Sequence, residues 1–132
     1  MLINCVAYQD GKKLADIATR DIGDYVSRPE CFVWVALSNP APEELAEMQE
    51  AFGLHALAVE DAHHGHQRPK IEEYGDSLFC VLHTVQLVGE ELNVGEVAIF
   101  VGPNFMLSVR SRTEQGFASA QTRLGEIGRA HV

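Results

Sequence analysis

Ser77-Leu78-Phe79-Cys80-Val81-Leu82-His83-Thr84-Val85-Gln86-Leu87 is a long run, mostly apolar on both faces. Gly89-Glu90-Glu91 turns the chain, and Val94 to Val101 forms a second such run. Gly102-Pro103-Asn104 then leads tightly into a third, Phe105 to Arg110. Strand-forming residues separated by short turns predict an antiparallel meander. Upstream, Cys31-Phe32-Val33-Trp34-Val35-Ala36-Leu37 is apolar without alternation. That pattern predicts a central strand covered on both faces, with Trp34 in the core.

Helical signals fill the gap between these strands. Pro42 suits a first helical position, and Glu43 and Glu44 follow where the helix dipole favours acids. Leu45, Met48 and Phe52 make one buried stripe, and Gly53 ends the helix as a left-handed cap. A second short helix is expected from about Leu54 or His55 to Ala62, with Leu54, Leu57, Ala58 and Asp61 on one face. At the start of the chain, Leu2 to Tyr8 reads as a strand and Asp10-Gly11 as a hairpin turn. Leu14 to Ile17 follows as a weak partner strand, and Asp21 to Val26 as one or two helical turns. Ile71 to Tyr74 reads as a short extended piece before a turn at Gly75-Asp76. Phe117, Ala120, Leu124 and Ile127 predict an amphipathic helix beginning near Thr113. Together these elements predict an α/β domain: a mixed β-sheet with an antiparallel meander, sandwiched by short helices.

A chain of 132 residues fits one domain. Its 10 basic and 19 acidic residues leave a formal charge of −9, which makes nucleic acid a poor partner. The acidic balance serves solubility or attracts metal cations, and composition alone does not choose. Cys5, Cys31 and Cys80 each sit in an apolar run, as expected of buried free thiols in a reducing compartment. No signal peptide pattern opens the chain, and no apolar run approaches the ~18–20 residues of a spanning helix. A soluble, cytosolic chain is expected. A Gly-rich phosphate loop is absent from the sequence, so nucleotide binding has no support.

The chemistry concentrates between Glu60 and Asp76, in the connection from the second short helix to the meander. Glu60 and Asp61 stand near a helix C-terminus, where the dipole disfavours acids by ~0.3–1 kcal/mol each. Either a structural ion pair with Arg68 or Lys70 or a divalent cation would offset this, since hard cations take carboxylate oxygens. Two carboxylates are too few for tight binding, so such a site is weak or completed by another chain. His63, His64 and His66 suit zinc or nickel by residue type, although His63 and His64 are adjacent and can hardly share one ion. Pro69 forces Arg68 extended, and Arg68 and Lys70 with Glu72 are expected to form a structural clamp. Glu60, Asp61, Glu72, Glu73 and Asp76 are all available as carboxylate partners for Arg68. Neither a nucleophile–base pair nor an oxyanion device is visible, and no enzyme is expected.

Several of these strings are familiar together. They are Trp34-Val35-Ala36-Leu37 with Pro40 and Glu44-Leu45, Phe52-Gly53-Leu54-His55-Ala56-Leu57-Ala58-Val59-Glu60-Asp61, and Gln67-Arg68-Pro69-Lys70-Ile71-Glu72-Glu73-Tyr74. Leu78 to His83 and Glu96 to Phe105 complete the set. In this order, from Trp34 to Arg110, the sequence resembles the amino-terminal domain of CorA-type magnesium and cobalt transport proteins. The resemblance implies a homopentameric channel whose cytosolic funnel joins this domain to a long helix and two transmembrane helices. It further implies magnesium bound between neighbouring domains, holding the closed state. The acidic pair of that site maps onto Glu60 and Asp61, and an adjacent copy's long helix supplies the opposing acid. The long helix, the membrane part and the Gly-Met-Asn signature are not in this sequence. The expectation is therefore an excised cytosolic domain holding one side of a weak magnesium site, with cobalt or zinc possible. In the full-length protein it would face the cytoplasm at the inner membrane. Two other classes stay open: a soluble metallohydrolase using His63, His64 and His66, and a ligand-free interaction module.

Overall fold

In the computed structural model, residues 1–65 and 67–112 are described. His66 and the expected C-terminal helix of Phe117, Ala120, Leu124 and Ile127 lie outside them. Strand β1 (Leu2–Gln9) and strand β2 (Lys12–Asp16) form the first hairpin. Asp10 and Gly11 turn it with φ of 53° and 76°, the left-handed pair that an Asp-Gly turn supplies. A short 3-10 turn, Thr19–Asp21, runs into helix α1 (Ile22–Val26), of which Ile22 is buried. Strand β3 spans Cys31–Ser38, and helix α2 spans Pro42–Phe52. Helix α2 starts on Pro42, buries Leu45, Met48 and Phe52, and stops at Gly53 with φ of 65°. Every feature of it follows the sequence signals. Helix α3 (Ala56–His64) comes next, then strands β4 (Lys70–Tyr74), β5 (Ser77–Val88), β6 (Glu91–Gly102) and β7 (Phe105–Arg112).

All seven strands join one mixed sheet in the order β2-β1-β3-β7-β6-β5-β4. Neighbours are antiparallel except β3 and β7, which run parallel with Val35 opposite Leu107. The meander is thus present and longer than expected, because β4 pairs with β5 from Lys70 to Tyr74. The β5–β6 hairpin also extends past Val94, pairing Leu87 with Leu92.

One face of this sheet carries the core. Val33, Val35, Leu37, Leu107, Val109, Phe105, Ala98, Phe100, Phe79 and Val81 form a single cluster with the buried residues of all three helices. Burying this much apolar surface is the main term holding the elements together. Strand β3 departs from the expectation of equal cover on both faces. Cys31, Val33, Val35 and Leu37 are at most 2 % exposed, whereas Phe32 on the other face is 38 % exposed. Trp34 shares that second face and is half-buried, so it is not part of the core cluster. The sequence run hides this because residues on both faces are apolar, while the pleat still sends them opposite ways. Cys5 and Cys31 are buried free thiols, and Cys80 is half-buried. Burial, with Glu47 adding to it, pushes the Cys5 thiol up to about 11, so it stays protonated and unreactive.

Helix α3 packs through small residues. Ala58 and Ala62 are its buried positions, one helical turn apart, which lets the backbone lie close to the sheet. Leu57, expected on that face, points outward and is 59 % exposed. The helix runs two residues past the expected end at Ala62, through His63 and His64, and Glu60 and Asp61 stand within its last turns as expected.

Candidate cation site

Lys70, Glu72 and Tyr74 alternate along β4 and therefore share one face. All three engage α3 or one another. The Lys70 ammonium donates to Asp61 Oδ2 at 2.7 Å and sits 2.6 Å from Glu72 Oε1. The Tyr74 hydroxyl donates to Glu72 Oε2 at 2.9 Å. At the opposite end of α3, the His55 ring stacks on Tyr74 with centroids 4.3 Å apart. His55 Nδ1 also caps the helix by accepting the Leu57 N–H at 3.2 Å. Helix α3 is thus tied to β4 at both ends, and Phe79 lies below the Lys70 ammonium, 5.7 Å from ring centroid to nitrogen.

The carboxylates here are open to solvent. The Asp61 and Lys70 side chains are 30 % and 29 % exposed, and Glu72 is 37 % exposed. Glu60 is more open, 62 % exposed, with its Oε1 3.6 Å from His64 Nε2. An ion pair this exposed contributes little. Arg68 is exposed and makes no ion pair among the described residues, so Lys70 is the basic member of the cluster. His63 and His64 are both exposed with ring centroids 5.5 Å apart. Among the described residues no group of three or more His, Cys, Asp or Glu is placed to hold a metal ion. Oxygen donors such as Asp61, Glu60 and Glu72 fit a hard divalent cation in chemical type, but one chain offers too few of them for tight binding.

Charge in the cluster is set by Lys70. Its hydrogen bonds to Asp61 and then Glu72 raise its own pKa. The bond from Lys70, with that from Tyr74 second, holds Glu72 below the usual carboxylate range. A carboxyl with a depressed folded-state pKa stabilises fully above its unfolded value, ~4.3. That contribution is lost as pH falls through the folded value. Lys70 acts oppositely: its contribution is complete below ~10.4 and is lost as pH rises through its raised value. Urea melts of the chain from about pH 6 down to about pH 3 are therefore expected to show a shallower loss of stability in Glu72→Gln than in wild type. Parallel curves would mean that the Lys70–Glu72 contact is not held in solution.

Sequence reasoning missed two residues beside this cluster. Glu96 on β6 is 4 % exposed, the one charged side chain buried among the described residues. Its Oε1 accepts the Gln67 N–H at 2.7 Å. His83, opposite it on β5, places Nε2 2.7 Å from the Gln67 carbonyl oxygen. The available signal was parity. Phe79, Val81 and His83 alternate along β5, as do Glu96, Ala98 and Phe100 along β6, so each polar residue falls on a core-facing position.

The sequence profile of the family described as CorA-like Mg2+ transporter protein matches residues 29–130. The chain belongs to the CorA-like Mg2+ transporter family. A relative in Bacillus subtilis (strain 168), YfjQ, carried under the name of a metal ion transporter, is 33% identical over 100 residues. That match covers 75% of this chain and 31% of the relative. The soluble domain of CorA from Methanocaldococcus jannaschii has the same fold, with a TM-score of 0.57 at 18% identity, covering 97% of this chain and 48% of that one. The ZntB cytoplasmic domain from Vibrio parahaemolyticus superposes with a TM-score of 0.60 at 11% identity, covering 95% of this chain and 50% of that one. This CorA-like chain therefore spans about a third of YfjQ and about half of each soluble domain. The family is one of transporters rather than enzymes. Among the described residues no helix is long and apolar enough to cross a membrane.

Proposed function

We propose that this chain is the cytosolic ion-sensing domain of a CorA-like divalent-cation transporter. The full protein would be a homopentamer at the inner membrane, with a long helix and transmembrane region beyond this domain. Asp61, with Glu60 beside it, supplies one side of a regulatory site for magnesium, or for cobalt or zinc. A neighbouring copy supplies the other side. The observation that carries this is the setting of Asp61. It lies near the end of α3, half-exposed, and its counter-charge is a lysine that is itself only partly exposed.

The mechanism is electrostatic. Acids facing each other across two copies repel until a divalent ion screens them, so occupancy draws the copies together. Loss of the ion frees them, and the population shifts by the difference in affinity between the two arrangements. Because one chain holds only part of the ligand set, magnesium binding to it alone is expected on the order of millimolar. Titration calorimetry on the wild-type chain and on Asp61→Ala tests this. The variant is expected to lose the binding heat, and equal binding by both would remove Asp61 from the site.

A further inference from the structure

We propose that Glu96 and His83 clamp the α3–β4 connection and are the positioning residues that set where Lys70 stands against Asp61. A core-facing carboxylate is costly unless its oxygens are hydrogen-bonded. An apolar residue would fit the alternation of β6 at lower cost, so the acid at this place asks for a specific task. Its contacts supply one. Both polar groups of the Gln67 peptide unit are held from the sheet, the N–H by Glu96 Oε1 and the carbonyl by His83 Nε2, each at 2.7 Å. A carbonyl oxygen can only accept, so His83 Nε2 carries the proton in that bond.

The two side chains are directly opposed in the β5–β6 register, and Nε2 of His83 lies 3.8 Å from Glu96 Oε1. The clamp is therefore built on two neighbouring strands of a rigid sheet. Gly65 lies against the same carboxylate. It ends α3 with φ of 68°, and a Cβ on it would stand 3.5 Å from Glu96 Oε2. The Gly65 N–H meanwhile closes the last turn on the Asp61 carbonyl at 3.1 Å.

Gln67 lies between Asp61 and Lys70 in the chain. Fixing its peptide unit fixes the direction in which β4 begins and thereby the reach of Lys70. A cation that takes Asp61 Oδ2 must displace that ammonium, so the clamp sets how readily that oxygen opens. This last step rests on the cation-site function proposed above, while the positioning of Lys70 does not.

Amine labelling of the full chain separates the two. Its lysines are Lys12, Lys13 and Lys70, and acetylation of Lys70 by N-hydroxysuccinimidyl acetate is read against Lys12 by mass spectrometry. Glu96→Ala and His83→Phe are expected to raise Lys70 labelling several-fold, with the fold verified by circular dichroism. Glu96→Gln keeps an acceptor for the Gln67 N–H and is expected to restore wild-type labelling. If Glu96→Ala does not fold, His83→Phe carries the comparison. Wild-type labelling of Lys70 in folded His83→Phe overturns the clamp. A magnesium titration of the same wild-type sample reports separately. A wild-type chain that does not respond overturns the cation site and leaves the labelling result standing.

Discussion

Phe79→Ala is expected to lower the free energy of unfolding by about 3–5 kcal/mol, a large fraction of the ~5–15 kcal/mol of a single domain. Phe79 is 1 % exposed and packs on Phe100 with ring centroids 4.8 Å apart. Truncation removes the ring from the sheet face on which the helices pack and leaves a cavity between elements already held by their neighbours, so the site cannot collapse to fill it. A local effect follows as well. Phe79 is the apolar floor beneath the Lys70 ammonium, and its loss lets water reach that side of the cluster. Urea unfolding at constant m reads the stability change. Ile71→Ala, at a position 72 % exposed, serves as control and is expected to shift stability by less than about 0.5 kcal/mol. A loss under about 1 kcal/mol at Phe79 would mean that α3 does not seal this part of the sheet.

How much of this architecture the sequence discloses depends on how local each signal is. Helix α2 is legible from end to end because proline, first-turn acids, apolar stripe and glycine cap all act within one segment. The Asp10-Gly11 hairpin and the meander are legible for the same reason. The parallel pairing of β3 with β7 is not, since it joins residues some seventy positions apart and leaves no local mark. Helix α3 misleads in another way: leucine is the more apolar residue, yet Ala58 and Ala62 are buried and Leu57 is not. Close approach of a short helix to the sheet favours small residues over large ones, which hydrophobicity does not express. At the site, the sequence marks Asp61, Lys70 and Glu72 as charges that need partners. It does not say that Lys70 serves both acids while Arg68 remains exposed. Glu96 was hidden in plain view inside an apolar strand, where only its parity with Ala98 and Phe100 marks it as buried.

Lys70→Met is expected to raise the magnesium affinity of the chain roughly tenfold, the equivalent of ~1.4 kcal/mol. Methionine keeps the apolar stem and deletes the charge, so packing over Phe79 is largely retained. In the wild-type cluster one ammonium neutralises Asp61 and Glu72 together, at 2.7 and 2.6 Å. A divalent ion reaching Asp61 Oδ2 has to break a contact of that kind, and partly solvated pairs are individually weak. Removing the lysine lifts both from the cost of binding and leaves two carboxylates that repel each other. The cation-free variant is accordingly expected to be less stable than wild type, with millimolar magnesium returning that stability by mass action. Calorimetry measures the first effect, and thermal melts with and without magnesium measure the second. Adding Asp61→Ala to Lys70→Met should abolish the gain, because the new affinity depends on the freed carboxylate. An affinity unchanged in Lys70→Met would place the ion on Asp61 Oδ1 or away from this cluster, and the lysine would then be a strut between α3 and β4 rather than a competitor for the site.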